Sequence, residues 1–117
     1  MSAIDIDELA ARLGRVAILD VRDPGEYDGS LGYSCDPRQG HIPGAINLPV
    51  SELLGLDEAD IRSRLGAPVG AEVVVYCHSG SRSSIGVQVL RSHGYNARNY
   101  EGSWHEWSRT ELPLEES

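Results

Sequence analysis

Long apolar runs are missing from this sequence, and so is an apolar core close to its N-terminus. A helix that crosses a membrane needs about 20 consecutive, mostly apolar residues, and strings such as Val73–Tyr76 are far shorter. A secretory signal peptide also needs an apolar core. We therefore predict a cytoplasmic protein that has no membrane as a partner.

Cysteine is scarce as well. The chain has 2 cysteines, Cys35 and Cys77, which stand far apart and match neither a disulfide framework nor a zinc-binding spacing. We therefore expect no metal and no cofactor. A reducing cytoplasm fits this pattern, because a free thiolate survives there.

Positive charge is limited, since 10 basic residues against 18 acidic ones give a net charge of −8. Nucleic acids and anionic membranes both bind to basic faces, so neither is expected as a partner. The stretch from Tyr76 to Asn99 differs from the rest, because it holds His78 and Arg82 and no carboxylate. This stretch predicts a site for a small anion.

The order of the apolar segments predicts strands that alternate with helices. Apolar runs bounded by turn residues indicate strands at 16–21, 45–48, 73–76 and 97–100. Helical spacing occupies segments at 4–13, 51–65 and 82–93, and Ser103 with Glu106 has the form of a capping box that starts a last helix. Alternating elements need crossovers, so we predict a mostly parallel sheet with helices on both faces. The length of 117 residues predicts one α/β domain over residues 1–117.

Cys77 stands where a buried strand ends and a helix begins. Backbone N–H groups converge at such a junction and the helix dipole is positive there, which stabilises a thiolate. We therefore predict that Cys77 is a catalytic nucleophile in a cleft at the carboxyl edge of the sheet, with a lowered thiol pKa. Small side chains let the backbone approach an anion. The candidate substrate-binding residues are His78, Ser79, Gly80, Ser81, Arg82 and Ser83.

The chain resembles the rhodanese family of sulfurtransferases along nearly its whole length. The resemblance rests on segments in the family's order, at 18–27, 40–49, the loop Cys77-x-x-Gly80-x-Arg82-Ser83, and 101–107. It implies a rhodanese-like domain with a mostly parallel five-stranded sheet, similar to the catalytic half of thiosulfate and 3-mercaptopyruvate sulfurtransferases. It also implies that sulfane sulfur moves from a small anionic donor such as thiosulfate to cyanide, a thiol or a protein acceptor, through a Cys77 persulfide.

Asp20 and Arg22 end the first predicted strand, at the edge where such folds place their sites. We interpret them as a buried ion pair that supports the site. Glu26 stands where the tandem relatives often have an arginine that holds the substrate anion. This reversal of charge argues against strong binding of thiosulfate, and Arg38 is a candidate for the missing positive charge.

Two other functions stay open beside sulfur transfer. Cysteine-dependent phosphatases and arsenate reductases on this fold use a longer loop that seats a tetrahedral oxyanion, whereas only His78–Ser81 separate Cys77 from Arg82. A rhodanese-like regulatory or sulfur-carrier module is the other alternative, although purely regulatory modules typically lack the cysteine.

Three further residues have simpler interpretations. Cys35 is interpreted as an incidental thiol in a surface loop, and His41 as a structural residue, because glycine and proline surround it. Trp104 is expected to pack against the sheet.

Overall fold

The structure, a computed structural model, describes residues 3–116. Its strands are β1 (Ala17–Asp20), β2 (Ile46–Asn47), β3 (Glu72–Tyr76) and β4 (Asn96–Asn99). Its helices are α1 (Ile6–Ala11), α2 (Pro24–Asp28), α3 (Val50–Leu53), α4 (Glu58–Leu65), α5 (Ser81–Ser92) and α6 (Ser103–Trp107). Within the described residues, no helix is both long and apolar enough to cross a membrane.

The four strands form one parallel sheet in the order β2-β1-β3-β4. Asp20, the last residue of β1, pairs in register with Tyr76, the last residue of β3. The carboxyl ends of these neighbouring strands therefore meet at one edge of the sheet, and Cys77 comes directly after that edge. The predicted parallel pairing is confirmed.

The predicted fifth strand is wrong for residues 3–116, where the sheet has four strands. The space beside β4 holds only a single bridge between Ala3 and Asn99, with the Ile4 N–H donating to the Asn99 carbonyl at 3.1 Å. The chain then turns into α1, because the Asp5 carboxylate accepts the Glu8 N–H at 2.8 Å and caps the helix. A helix cap so close to the bridge prevents the strand from extending.

Apolar side chains alternate along the strands, so each face of the sheet has its own core. One core combines Leu19, Val73 and Val75 with residues of α3, α4 and α5, such as Leu53, Ile61 and Leu90. The other combines Ile18, Val74 and Tyr76 with residues of α1 and α6, such as Leu9, Trp104 and Trp107. Helices therefore cover both faces, as predicted, and Trp104 packs against the sheet.

The capping box predicted for α6 does not form. The helix follows Gly102, and Ser103 is its first residue, with φ at 55°. The Ser103 hydroxyl donates to the Tyr100 carbonyl at 2.8 Å, and the Glu106 carboxylate accepts the Tyr100 hydroxyl at 2.7 Å. The Ser103 and Glu106 side chains therefore bond to Tyr100 rather than to the backbone N–H groups at the start of α6.

Candidate active site

The loop that follows Cys77 folds back on the cysteine through Gly80. This glycine has φ at 100° and precedes the first residue of α5. A Cβ atom at this position would lie 3.0 Å from the Glu101 carbonyl oxygen, so a side chain would be both strained and crowded. Glycine is therefore required to direct the loop N–H groups toward Cys77.

The Cys77 sulfur is surrounded by hydrogen-bond donors. The Gly80 N–H lies 3.1 Å from Sγ and the Ser83 N–H lies 3.3 Å from it. In the thiol form, Sγ itself donates to the Ser83 hydroxyl oxygen at 3.4 Å. Donors arranged in this way stabilise a negative charge on sulfur more than they stabilise a neutral thiol.

These contacts lower the pKa of the Cys77 thiol. Burial acts in the opposite direction and by itself raises that pKa, because it removes water from the charged form. The Ser83 hydroxyl and the backbone N–H groups of Ser83, Gly80 and Ser79 outweigh burial. The net effect is a pKa below the ordinary value, as the sequence predicts.

The start of α6 holds the backbone of Cys77 in place. The Cys77 N–H donates to the Ser103 hydroxyl at 3.1 Å, and the Trp104 N–H donates to the Cys77 carbonyl at 2.9 Å. The His105 N–H donates to the His78 carbonyl at 2.9 Å. Ser103 does this from the left-handed region of φ, which is unfavourable for a residue other than glycine. Sequence reasoning missed this role, because the contact joins distant parts of the chain.

Asn99 is a second residue that sequence reasoning missed. Its Oδ1 accepts the Ser83 hydroxyl at 2.7 Å, and its Nδ2 donates to the Gly80 carbonyl at 3.4 Å. Asn99 is the last residue of β4. The sequence offered one signal for Asn99, because a polar side chain close to the carboxyl end of a predicted strand lies at the edge where such folds place their sites.

Cys77 is more enclosed than the sequence predicts. The residue has no exposed surface, whereas we expected it to lie in an open cleft. Part of the reason is that the folded-back loop and α6 supply contacts on several sides of it. The sulfur is therefore not in contact with solvent in this structure.

Arg82 forms an ion pair with Glu26. Two hydrogen bonds of 2.8 and 3.1 Å join the guanidinium to the carboxylate, and the side chains are 27% and 10% exposed. The Glu26 carboxylate also accepts the Asp23 N–H, at 3.3 Å, where α2 begins. Burial alone would raise the pKa of Glu26, but the hydrogen bonds from Arg82 lower it below its ordinary value. The sequence predicts that Arg82 binds the substrate anion; in the structure Arg82 is paired with Glu26, and its contact with a substrate stays a prediction.

A cavity of about 340 Å³ lies against this pair. Its walls are formed by two carboxylate residues, two glycines and two large side chains, namely Asp23, Glu26, Gly25, Gly32, Leu31 and Tyr33. Leu31 and Tyr33 are 78% and 49% exposed. Cys77 is not part of this wall; Glu26 connects the cavity to the loop through Arg82, and Tyr33 connects it through the ring of His78, with 3.9 Å between the ring centroids.

His78 belongs to a cluster beside the loop. Its Nε2 lies 3.0 Å from an oxygen of the buried Asp36 carboxylate, a distance typical of an ion pair, although the angle is not that of a hydrogen bond. Cys35 Sγ lies within 4.8 Å of both groups, so cysteine, carboxylate and imidazole are spaced as metal ligands can be. However, Asp36 also accepts Arg109 at 2.9 Å, and this guanidinium would repel a cation. We therefore interpret the cluster as charge pairing.

Asp20 and Arg22 form the buried ion pair that the sequence predicts. The guanidinium and carboxylate are 2.7 Å apart, and both side chains are almost completely buried. Arg22 also donates to the Gly40 carbonyl at 2.7 Å and lies over the Trp104 ring. The pair thus ties β1 to the 40–49 segment and to α6.

Three remaining candidates, Arg38, Ser79 and Ser81, do not place their side chains against the Cys77 sulfur. Arg38 donates to the carbonyls of Trp107, Ser108 and Leu112, so the idea that it replaces a substrate-binding arginine is wrong. The side chains of Ser79 and Ser81 belong to exposed residues. Ser79 contributes to the lowered Cys77 pKa through its backbone.

Residues 5–110 match the model of the rhodanese-like domain. The chain belongs to the rhodanese family. A thiosulfate sulfurtransferase of Pseudomonas aeruginosa is 34% identical over 119 residues, which cover 92% of this chain and 43% of the relative. The sulfur carrier protein TtuD of Thermus thermophilus is 39% identical over 110 residues, covering 80% of this chain and 39% of the relative.

Solved structures place the chain in the same rhodanese family. The human single-domain sulfurtransferase TSTD1 has a TM-score of 0.72 and 34% identity, with 95% of this chain and 98% of the human chain covered. By contrast, this chain spans less than half the length of the curated bacterial relatives it matches, such as 43% and 39% for the two above. The names of these relatives describe sulfur transfer and sulfur carriage.

Proposed function

We propose that residues 1–117 act as one catalytic domain that moves sulfane sulfur from a donor such as thiosulfate to a thiophilic acceptor. The observation that carries this proposal is the Cys77 sulfur, which accepts N–H groups from Gly80 and Ser83 at 3.1 and 3.3 Å. A cradle of this kind stabilises the thiolate before the reaction and the persulfide anion after it. A reducing cytoplasm would keep Cys77 reduced, and the N–H groups around Sγ favour its thiolate form.

The reaction is a double displacement. The Cys77 thiolate attacks the outer sulfur of thiosulfate, the S–S bond breaks, and sulfite leaves with the bonding electron pair. Cys77 then carries a persulfide. Cyanide or a thiolate attacks its outer sulfur, forms thiocyanate or a new persulfide, and regenerates the Cys77 thiolate.

The size of the loop supports sulfur transfer over phosphate or arsenate chemistry. A phosphatase of this type must seat a tetrahedral oxyanion above the cysteine, but the Gly80 and Ser83 N–H groups already lie at hydrogen-bond distance from Sγ itself. The cradle is therefore matched to one sulfur atom. Arg82, which would have to hold the oxyanion, is paired with Glu26.

A sulfur carrier that passes its persulfide to a partner protein is the second candidate. It is supported by the complete burial of Cys77, which slows reaction with free small molecules, and by similarity to a protein named as a sulfur carrier. The same Cys77 persulfide serves both functions. They differ only in the acceptor.

Mass spectrometry of the intact protein tests the proposal. Incubation with thiosulfate should add about 32 Da, one sulfur atom, to the chain, and cyanide should remove it and release thiocyanate. A persulfide that forms but reacts with neither cyanide nor small thiols would favour the carrier. Absence of any added sulfur with thiosulfate, 3-mercaptopyruvate or an organic persulfide, together with hydrolysis of a chromogenic phosphate ester, would show that sulfur transfer is the wrong function.

A further inference from the structure

The Arg82–Glu26 pair has a consequence for the charge of the donor. An anion that uses Arg82 must compete with the Glu26 carboxylate, which holds the guanidinium through two hydrogen bonds of 2.8 and 3.1 Å. Glu26 is itself held by the Asp23 N–H and is only 10% exposed, so it is not free to swing into solvent. Before a donor binds, the site therefore presents a neutral Arg82–Glu26 pair, whereas a doubly charged donor needs a free cation.

The charges around the Arg82–Glu26 pair further disfavour a doubly charged donor. Asp23 and Glu26 both line the adjacent cavity, and the whole chain carries a net charge of −8. Both carboxylates repel an additional negative charge on a donor, and Glu26 has the larger effect because it also occupies Arg82. Leu31 and Tyr33 expose apolar surface in the same cavity, which suits a donor that carries an apolar group.

We propose that Glu26, by occupying Arg82, is the residue that selects against doubly charged sulfur donors and favours donors with a single negative charge whose leaving group carries an apolar substituent. The inference rests on the proposed sulfur transfer and specifies its donor class. Thiosulfate then remains a substrate, but a poor one for as long as Glu26 is charged and paired.

Two donors of nearly the same shape test the role of charge. Thiosulfate carries two negative charges, whereas methanethiosulfonate replaces one oxygen with a methyl group and carries one. Both deliver the outer sulfur to the Cys77 thiolate, and sulfite or methanesulfinate leaves with the electron pair of the broken S–S bond. In the unmodified protein, kcat/KM should be higher for methanethiosulfonate than for thiosulfate.

The variant Glu26→Gln removes the charge and keeps the shape. Glutamine can still accept the Asp23 N–H and contact Arg82, so the start of α2 is preserved. We expect kcat/KM for thiosulfate, divided by that for methanethiosulfonate, to rise about tenfold. The control Asp23→Asn removes a carboxylate from the same cavity but leaves Arg82 paired, and should change this ratio by less than about threefold.

The outcomes separate this inference from the proposed function. Higher kcat/KM for thiosulfate in the unmodified protein overturns the selection, and this measurement needs no variant. Two results overturn the role of Glu26 alone while both donors still transfer sulfur. One is a ratio of the two kcat/KM values that stays unchanged in Glu26→Gln, and the other is an equal change of this ratio in Asp23→Asn. Absence of transfer from either donor overturns the proposed function and the inference with it.

Discussion

Two groups of arginine–glutamate pairs in this molecule differ in the number of partners that each charge has and in their surroundings. The first, the edge network, consists of Glu8, Arg12, Glu72 and Arg98, and it joins α1 to the strands β3 and β4. Arg98 contacts both glutamates, at 2.6 and 3.1 Å, and Arg12 contacts them as well. Each charge therefore has two partners.

The second group is the single pair of Arg82 and Glu26 beside the Cys77 loop. Here one guanidinium meets one carboxylate, and the Cys77 thiolate lies close enough to act on Arg82 electrostatically. An anion that approaches Arg82 has one carboxylate to displace, whereas each arginine of the edge network keeps a second glutamate. We expect the edge network to serve stability and the single pair to act on the charge of the donor, as proposed above.

The largest effect is expected for Cys77→Ser, which should abolish persulfide formation and leave the fold intact, because a hydroxyl oxygen cannot hold the transferred sulfur. Cys35→Ser is the matched control and should retain most of the activity. Intact mass after incubation with a donor measures both. Similar losses in the two variants would mean that a relay of two cysteines operates and that the exposed Cys35 is not incidental.

Arg82→Gln should lower kcat/KM for thiosulfate about tenfold or more, because the donor loses its cation. It should also lower the melting temperature, since Glu26 keeps a poorly solvated carboxylate. Adding Glu26→Gln to Arg82→Gln should restore the melting temperature but not kcat/KM. Arg98→Gln, in the edge network, should reduce stability without changing donor kinetics. If the double variant recovers full kcat/KM, Arg82 is a purely structural partner of Glu26.

Ser103→Ala should destabilise the protein by about 1–3 kcal/mol, because the buried Cys77 N–H loses its acceptor. Ser103→Gly removes the same hydroxyl but relieves the positive φ of 55°, so it should be more stable than the alanine variant by about 1 kcal/mol. Chemical denaturation measures both differences. Equal stability of the two variants would show that the backbone at this position is not strained.

Acid stability should depend on Glu72 in the edge network. Hydrogen bonds from Arg12 lower the pKa of this carboxyl to about 2. Because the folded-state pKa lies below the unfolded one, the stabilisation is present above about pH 4.5 and is lost as the pH falls toward 2. Glu72→Gln should therefore reduce stability at neutral pH and flatten its dependence between these values. An unchanged profile would mean that the mostly solvent-accessible network contributes little.

The smallest effect concerns the ionisation of Cys77. In a Cys35→Ser background, the thiolate ultraviolet absorbance should give a Cys77 pKa below about 8.5. Ser83→Ala removes the hydroxyl beside Sγ but keeps the backbone N–H, so the pKa of Cys77 should rise. A pKa at or above the ordinary value in the Cys35→Ser protein would contradict the activated thiolate.

Local patterns in the sequence determined the strands, most helix positions and the place of the Cys77 loop. The apolar run Val73–Tyr76 and the small residues after it lie within a few positions of each other, so their periodicity and turn chemistry are visible without a partner. The parallel sheet also follows from the order of elements, because strands that alternate with helices need crossovers. The buried pair of Asp20 and Arg22 is predictable for the same reason, since only one residue separates them.

Only the tertiary structure decided what the loop contacts. The partner of Arg82 is 56 positions away, and the hydroxyl that anchors the Cys77 N–H is 26 positions away. Such contacts depend on how α2 and α6 pack beside the sheet, which no local pattern specifies. The four-stranded sheet and the complete burial of Cys77 have the same origin, because the extent of a strand and the exposure of a side chain are set by neighbours that are distant in sequence.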